Sequence, residues 1–195
     1  VDFCVEEVTK HKDVTYFELM NEVNNSGEYS PEQLVRIYKA VYPAVKKARP
    51  DAQLMGLALA GKDYAYMEKF YSLGGGDYID GLSIHYYDRS PSGFKLDWWY
   101  PRIDKMIDVM KKYGQDKKPL WFGEQGWSTN ERDEWSRAVS VVKYPIFLKG
   151  EGYTDRFMIY NYVRKNEDRN DYEGSFGMLR PELDMVSPLT PYPMC

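Results

Sequence analysis

The stretch that decides the fold runs from Val14 to Glu22 and reads Val-Thr-Tyr-Phe-Glu-Leu-Met-Asn-Glu. Its first four residues are β-branched or aromatic, which favours a β-strand. The apolar character then gives way to Asn21 and Glu22 and to a polar loop rich in Asn and Gly. The sequence therefore predicts a strand that delivers a carboxylate at its C-terminal end.

A second segment of the same kind follows about a hundred residues later. Residues 119–123 form a short apolar run, Pro-Leu-Trp-Phe-Gly, and Glu124 comes directly after it. Two strand-end carboxylates with aromatic neighbours suit the hydrolysis of a glycosidic bond, in which one carboxyl group is acid and base and the other is nucleophile. The alternative is a pair of surface carboxylates, since Asp and Glu occupy 30 of the 195 positions.

Strands alternate with helices along the rest of the chain. Ser30 begins one helix as its N-cap, with Pro31 in the first position and Gln33 completing a capping box. By hydrophobic periodicity, helices are predicted over residues 3–12, 31–49, 63–73, 99–113 and about 133–149, and further strands over 53–59, 79–87 and 156–162. This alternation predicts a parallel sheet, and polar residues at C-terminal strand ends are typical of (β/α)8 barrels.

Composition excludes several classes of partner. The net charge of -4 offers no basic surface for nucleic acid, whereas 16% aromatic residues suit sugar faces. No apolar run approaches the roughly 20 residues that span a bilayer, so no membrane partner is expected. Cys4 and Cys195 lie at opposite ends of the chain without metal-ligand spacing, so neither a metal nor another cofactor is expected. The cellular compartment stays open.

Several separated segments resemble one group of enzymes. Residues 16–22 are similar to the strand-four Asn-Glu signature of the clan of retaining glycoside hydrolases with (β/α)8 barrels. Residues 120–127 resemble the strand-seven nucleophile segment of that clan, 79–87 resemble strand six, and 176–183 resemble the stretch after strand eight. Order and spacing agree with the clan throughout.

Within the clan the pattern is most similar to the family of β-xylosidases and related endo-glycosidases. That family reads Phe-Glu-Leu-Trp-Asn-Glu-Pro-Asn, and here Met20 stands in place of Trp and Val23 in place of Pro. The resemblance implies an α/β fold with one domain, residues 1–195, that represents strands four to eight of a TIM barrel. The outer strands are then expected to be covered by self-association or by a missing N-terminal segment.

The resemblance also assigns roles to the strand-end residues. Glu22 is expected to be the acid and base, and Glu124 is expected to attack the anomeric carbon as the nucleophile. Asn21 is expected to bond the sugar 2-hydroxyl, and a loop-capping amide is its alternative. A retaining mechanism requires the two carboxyl groups to lie about 5 to 5.5 Å apart.

Four further residues are expected to bind the carbohydrate substrate. His85 and Tyr87 lie two positions apart in a predicted strand and so share one face. The resemblance makes Tyr87 a donor to the nucleophile and His85 a neighbour of the sugar or of the acid, with a structural histidine as the alternative. Trp127 and Tyr160 are candidates for stacking on a sugar ring, with a role as core aromatics left open.

Two other classes of function remain as alternatives. A degenerate barrel that binds carbohydrate without turnover would keep the aromatic residues and lose activity. A metal-dependent barrel hydrolase would need several His or Asp side chains at strand ends, and the predicted strands offer His85 alone.

Overall fold

A computed structural model describes residues 1–25, 27, 29–87, 95–154, 156–165, 168 and 170–179 of this chain. The helices are α1 Asp2–Lys10, α2 Pro31–Ala48, α3 Tyr64–Ser72, α4 Leu96–Lys112 and α5 Glu134–Gly150. The strands are β1 Tyr16–Glu18, β2 Gln53–Ala60, β3 Gly81–His85, β4 Leu120–Gln125 and β5 Phe157–Ile159. These strands form one sheet in chain order, with parallel pairing of β1 to β2, β2 to β3 and β4 to β5. The predicted α/β class is confirmed.

Local sequence signals account for the helix boundaries. At α2 the Gln33 amide donates to Ser30 Oγ at 3.3 Å, and the Ser30 amide donates to Gln33 Oε1 at 2.8 Å, so the predicted capping box is present. At α5 the Asp133 side chain caps the first turn by accepting from the Ser136 amide at 2.9 Å. The cap predicted at Ser30 is therefore present, and the helix predicted from about residue 133 begins at Glu134.

The first strand is shorter than predicted, because its N-terminal residues serve a turn. The Val14 amide donates to the His11 carbonyl at 3.1 Å, which closes the end of α1 instead of extending the sheet. Pairing with β2 begins where the Gln53 amide donates to the Thr15 carbonyl at 2.7 Å, and Tyr16 is then the partner of Gln53. The expected strand start at Val14 is wrong by two residues.

Strand β2 departs from the uninterrupted strand that its apolar sequence predicts. Leu57 and Ala58 have φ of 74° and 41°, and the register with β3 shifts between Gly56 and Leu59. Positive φ is strained for residues with a side chain, and a register shift of this kind is an irregularity of the β-bulge type. Beyond it, Ala60 is the partner of His85, so the end of β2 lies level with a predicted site residue.

The chain divides into two compact units, Val1–His85 with Tyr100–Trp121, and Tyr86–Trp99 with Phe122–Cys195. In the first unit, β2 and β3 are almost wholly buried, and α1 and α2 pack on β2 through Val8, Val41, Val45, Ala52 and Leu54. In the second, Trp99 packs edge-on against Tyr144 with ring centroids 4.5 Å apart. Each unit thus has an apolar core of its own.

Three expectations from the sequence concern a membrane span, the end of the chain and the number of domains. In the described part of the chain, no helix is long and apolar enough to cross a membrane. The Pro-rich tail and residues 180–183 of the closing segment lie outside the described residues. The expectation of one domain over residues 1–195 stays a prediction.

Candidate active site

Glu22 lies on a loop that is fastened to the end of β2. It follows β1 by four residues and has a φ of 44°, and the Asn25 amide donates to its carbonyl at 2.8 Å. The side chain of Asn24 pairs with Ala60 as a strand would, donating to the Ala60 carbonyl at 3.0 Å and accepting from the Ala60 amide at 2.9 Å. Glu22 has a left-handed backbone conformation, and such a conformation persists where the surrounding contacts fix the segment.

The two carboxyl oxygens of Glu22 have different neighbours. Asn25 Nδ2 donates to Oε2 at 2.9 Å, and His85 Nδ1 lies 3.4 Å from Oε1. The imidazole is 1% exposed, whereas the Glu22 side chain is 22% exposed. The Glu22 carboxyl group therefore contacts protein groups at both oxygens and remains partly exposed to solvent.

His85 also faces a second carboxylate, which the sequence reasoning did not select. Its Nε2 lies 3.9 Å from Glu18 Oε2, so the buried ring stands between Glu18 and Glu22. The alternation of side chains along β1 could have pointed to Glu18, because it places Glu18 on the same strand face as Tyr16. The Tyr16 ring packs on Trp121, with ring centroids 4.7 Å apart. Asn25 was also missed as a Glu22 contact, and nothing in its sequence distinguishes it from the neighbouring Asn24.

Glu124 lies within β4, in the second unit. Tyr87 Oη donates to Glu124 Oε2 at 2.7 Å, a short bond of the kind formed with a charged acceptor. Phe176, which is buried, packs edge-on against Tyr87 with centroids 5.6 Å apart. The phenol is thus held in place by packing while its hydroxyl group orients the carboxylate.

Tyr160 belongs to the same aromatic cluster. Its ring centroid lies 6.4 Å from that of Tyr87, and its amide donates to the Gln125 carbonyl at 2.8 Å, so β5 places it beside the Glu124 segment. Burial raises the pKa of Tyr160, and the negative charges of Glu173 and Glu124 add to this effect. The ring is half-buried, as a platform at the edge of a site would be.

The remaining predicted residues differ in exposure. Asn21, directly before Glu22, is exposed. Trp127 is 3% exposed and packs on Tyr144 with centroids 5.0 Å apart. Its burial favours the alternative of a core aromatic over sugar stacking, because stacking requires an exposed ring face. Burial likewise favours a place for His85 beside Glu22 over a sugar contact.

Each unit holds a carboxyl group with oriented polar neighbours. A carboxyl group beside an imidazole and an amide suits proton transfer, and a carboxylate oriented by a phenol suits nucleophilic attack. The fold and these strand-end groups define the class as a (β/α) barrel fold, in which side chains at C-terminal strand ends form the functional face.

Comparison with known proteins agrees with that class. No known family's sequence profile matches the chain. A hyaluronoglucuronidase from Hirudo nipponia is 28% identical over 141 residues, which cover 64% of this chain and 28% of the leech protein. A family 39 glycoside hydrolase from Bacteroides cellulosilyticus superposes on 99% of this chain and 41% of its own length, with a TM-score of 0.81 and 23% identity.

A β-xylosidase of the same family from Caulobacter crescentus matches 91% of this chain and 42% of its own length, with a TM-score of 0.65 and 18% identity. The chain therefore spans well under half the length of these three relatives. It has the α/β fold of part of a TIM-barrel glycoside hydrolase, as the strand and helix pattern predicted.

Proposed function

We propose that this chain carries the catalytic centre of a retaining glycoside hydrolase acting on β-glycosidic bonds, with Glu22 as acid and base and Glu124 as nucleophile. The observation that carries the proposal is the 2.7 Å hydrogen bond from Tyr87 to Glu124. A hydroxyl group on one carboxylate oxygen fixes the orientation of the group and leaves the other oxygen to attack. The contacts of Glu22 with Asn25 and His85 support a separate, proton-handling role.

The reaction proceeds in two balanced steps. In the first, Glu124 attacks the anomeric carbon, the bond to the leaving group breaks, and Glu22 gives its proton to the departing oxygen. In the second, Glu22 takes a proton from water, whose oxygen displaces Glu124 and restores both carboxyl groups. Asn21 bonds the sugar 2-hydroxyl, an interaction that strengthens in the transition state.

Trapping of the intermediate tests this proposal directly. An activated 2-deoxy-2-fluoro β-glycoside should inactivate the protein and add one sugar mass, and peptide mapping should find the sugar on Glu124. With an ordinary aryl glycoside, proton NMR should show a first product of unchanged anomeric configuration. An inverted product, or a sugar on another residue, would overturn the assignment. Activity unchanged by EDTA would dismiss the metal-dependent alternative.

The leech relative and one pair of cations favour an acidic substrate as a second candidate. Lys62 follows β2 at the C-terminal end of the strand, and burial together with the charge of Arg102 lowers its pKa. Lys62 and Arg102, which lies in α4, are two cations that suit the carboxylate of a uronic acid. An aryl β-glucuronide should then be hydrolysed faster than an aryl β-xyloside, and Lys62→Met should remove that preference; equal rates would reject this candidate.

Carbohydrate binding without turnover remains the competing function. It would appear as saturable binding of oligosaccharides in calorimetry together with absence of hydrolysis, and with no loss of binding in Glu124→Gln. Outer strands β1 and β5 expose Tyr16 by 43% and Met158 by 44%. We therefore also propose that a second copy of the chain covers them, which light scattering would detect as a mass above 22.9 kDa.

A further inference from the structure

We propose that Glu18 is a positioning residue, which holds the buried His85 in the tautomer whose Nδ1 lone pair faces Glu22. The proposal rests on the proposed role of Glu22 as the acid, and it names a residue that acts on that role through the imidazole. Glu18 itself does not touch the reacting atoms.

The ring of His85 lies between two carboxyl groups. His85 Nε2 lies 3.9 Å from Glu18 Oε2, and His85 Nδ1 lies 3.4 Å from Glu22 Oε1. At 3.9 Å the attraction between the N–H group and the carboxylate is electrostatic and not a hydrogen bond. The imidazole is 1% exposed, so this attraction acts with little screening by water.

A neutral imidazole carries a single ring proton. One ring nitrogen carries the proton and the other is an acceptor, and a carboxylate beside a nitrogen favours the proton there. When Glu22 carries its acid proton, Glu18 is the charged carboxylate of the pair, so the ring proton lies on Nε2 and the lone pair of Nδ1 faces Glu22. The opposite tautomer would aim an N–H group at Glu22 Oε1 and would favour a Glu22 that has already lost its proton.

The neighbours of Glu22 assign its proton to one oxygen. Asn25 Nδ2 donates to Oε2 at 2.9 Å, which keeps Oε2 an acceptor. The acid proton is then carried by Oε1, where an Nδ1 lone pair accepts it until a glycosidic oxygen replaces the imidazole as acceptor. Glu18, His85 and Asn25 together select which oxygen of Glu22 is the acid.

Strand geometry explains how Glu18 reaches this ring. Glu18 ends β1 and pairs with Met55 of β2, while His85 ends β3 and pairs with Ala60. Glu18 is 33% exposed, so its carboxylate retains contact with water while its partner is buried. A partly exposed carboxylate orients a histidine without the full cost of burying a charge.

The chain offers a matched control for the test. It has two histidines, and the other, His11, has its own glutamate, with His11 Nε2 3.3 Å from Glu7 Oε2 on the exposed face of α1. Nitrogen-15 NMR reports the tautomer of each imidazole at the high-pH limit of its signals, measured in a Glu22→Gln background whose neutral side chain stands in for the protonated acid. His11→Gln assigns the signals.

We expect His85 to carry its proton on Nε2 in this background. Glu18→Ala and Glu18→Gln should both move His85 towards the Nδ1-protonated form, because each removes the carboxylate charge, whereas Glu7→Gln should change only His11. His85 protonated on Nδ1 while Glu18 is intact, or unmoved by Glu18→Ala in a variant of unchanged circular dichroism, would overturn the proposal.

Kinetics supply the second readout. Glu18→Ala should lower kcat on the order of tenfold for glycosides with poor leaving groups and leave KM and the rate on activated aryl glycosides nearly unchanged. Equal losses on both substrates would contradict the positioning role. A tautomer shift in a protein that hydrolyses no glycoside would instead refute the proposed function and leave the placement of Glu18 intact.

Discussion

Glu22 and Glu124 are the same residue type and each comes after an apolar segment of the sequence, yet the structure supports them by different means. Glu22 lies on a loop with positive φ and is contacted by an amide and an imidazole. Glu124 lies inside β4, where the sheet holds its backbone, and is contacted by the Tyr87 phenol. Different surroundings are how two carboxyl groups acquire different roles. The comparison predicts that replacing Glu22 and replacing Glu124 will reduce activity by different amounts and on different substrates.

The largest effect is expected at Glu124. Glu124→Ala removes the nucleophile, so kcat should fall on the order of 10⁵-fold for all substrates. The melting temperature should change little, because the carboxylate adds little to the core. Steady-state kinetics and calorimetry check both, and Glu131→Ala, an exposed carboxylate of the same unit, serves as control. A loss below about tenfold would contradict the role.

A smaller and selective effect is expected at Glu22. Glu22→Ala should reduce hydrolysis of substrates with poor leaving groups by about 10² to 10⁴-fold, because these depart only with a proton. An activated aryl glycoside, whose leaving group needs no proton, should lose much less in the bond-breaking step. Measuring kcat across a series of leaving groups separates the two carboxylates, and a uniform loss would remove Glu22 from the acid role.

Removing the hydrogen-bond partner of Glu124 should likewise reduce kcat more than removing that of Glu22. Tyr87→Phe keeps the packing on Phe176 and removes a bond to a charged group, worth about 1.5 to 3 kcal/mol, so kcat should fall about 10 to 100-fold. Asn25→Ala removes a more exposed bond to Glu22 and should cost less than tenfold. Single-turnover rates measure the two changes, and a larger loss in Asn25→Ala would reverse the ranking.

The smallest effect concerns the loop that carries Glu22. Tyr66 Oη donates to the Tyr29 carbonyl at 2.7 Å, and burial, with the charges of Asp63 and Glu32, raises the pKa of Tyr66 from 10.0 to about 12. Its contribution to stability is fully present below pH 10 and is lost as pH rises towards 12, where the folded form also ionises.

Melting temperatures measured across that window should fall less steeply in Tyr66→Phe than in the unmodified protein. Tyr162→Phe, a change at an exposed tyrosine of the second unit, provides the control and should keep the original slope. Parallel curves for Tyr66→Phe and the unmodified protein would contradict the expectation.

Signals confined to a few neighbouring residues were the most predictable. The capping box at Ser30, the amphipathic helices and the apolar strands were expected from spacing alone, and the observed bounds agree within a few residues. The placement of carboxylates after apolar strands singled out Glu22 and Glu124. Such features depend on backbone geometry and local hydrogen bonds, which the sequence encodes directly.

Features that depend on packing between distant segments were not predictable in the same way. The bulge in β2 puts Leu57 and Ala58 at positive φ, which neither residue type predicts, and Gly56 directly before them is the one local signal of it. The burial of Trp127 depends on Tyr144 in α5, which the sequence near Trp127 does not specify. These outcomes were decided when elements from separate parts of the chain came into contact.

By itself, then, the sequence determined the alternation of strands and helices and the placement of its two carboxylates after apolar segments, because periodicity and caps act over a few residues. Only the tertiary structure decided that Tyr87 bonds Glu124, that Glu18 and Glu22 share a buried imidazole, and that Asn24 fastens its loop to Ala60. Each of these contacts joins residues far apart in sequence, and the strand register that brings them together is set by the packing of the whole sheet.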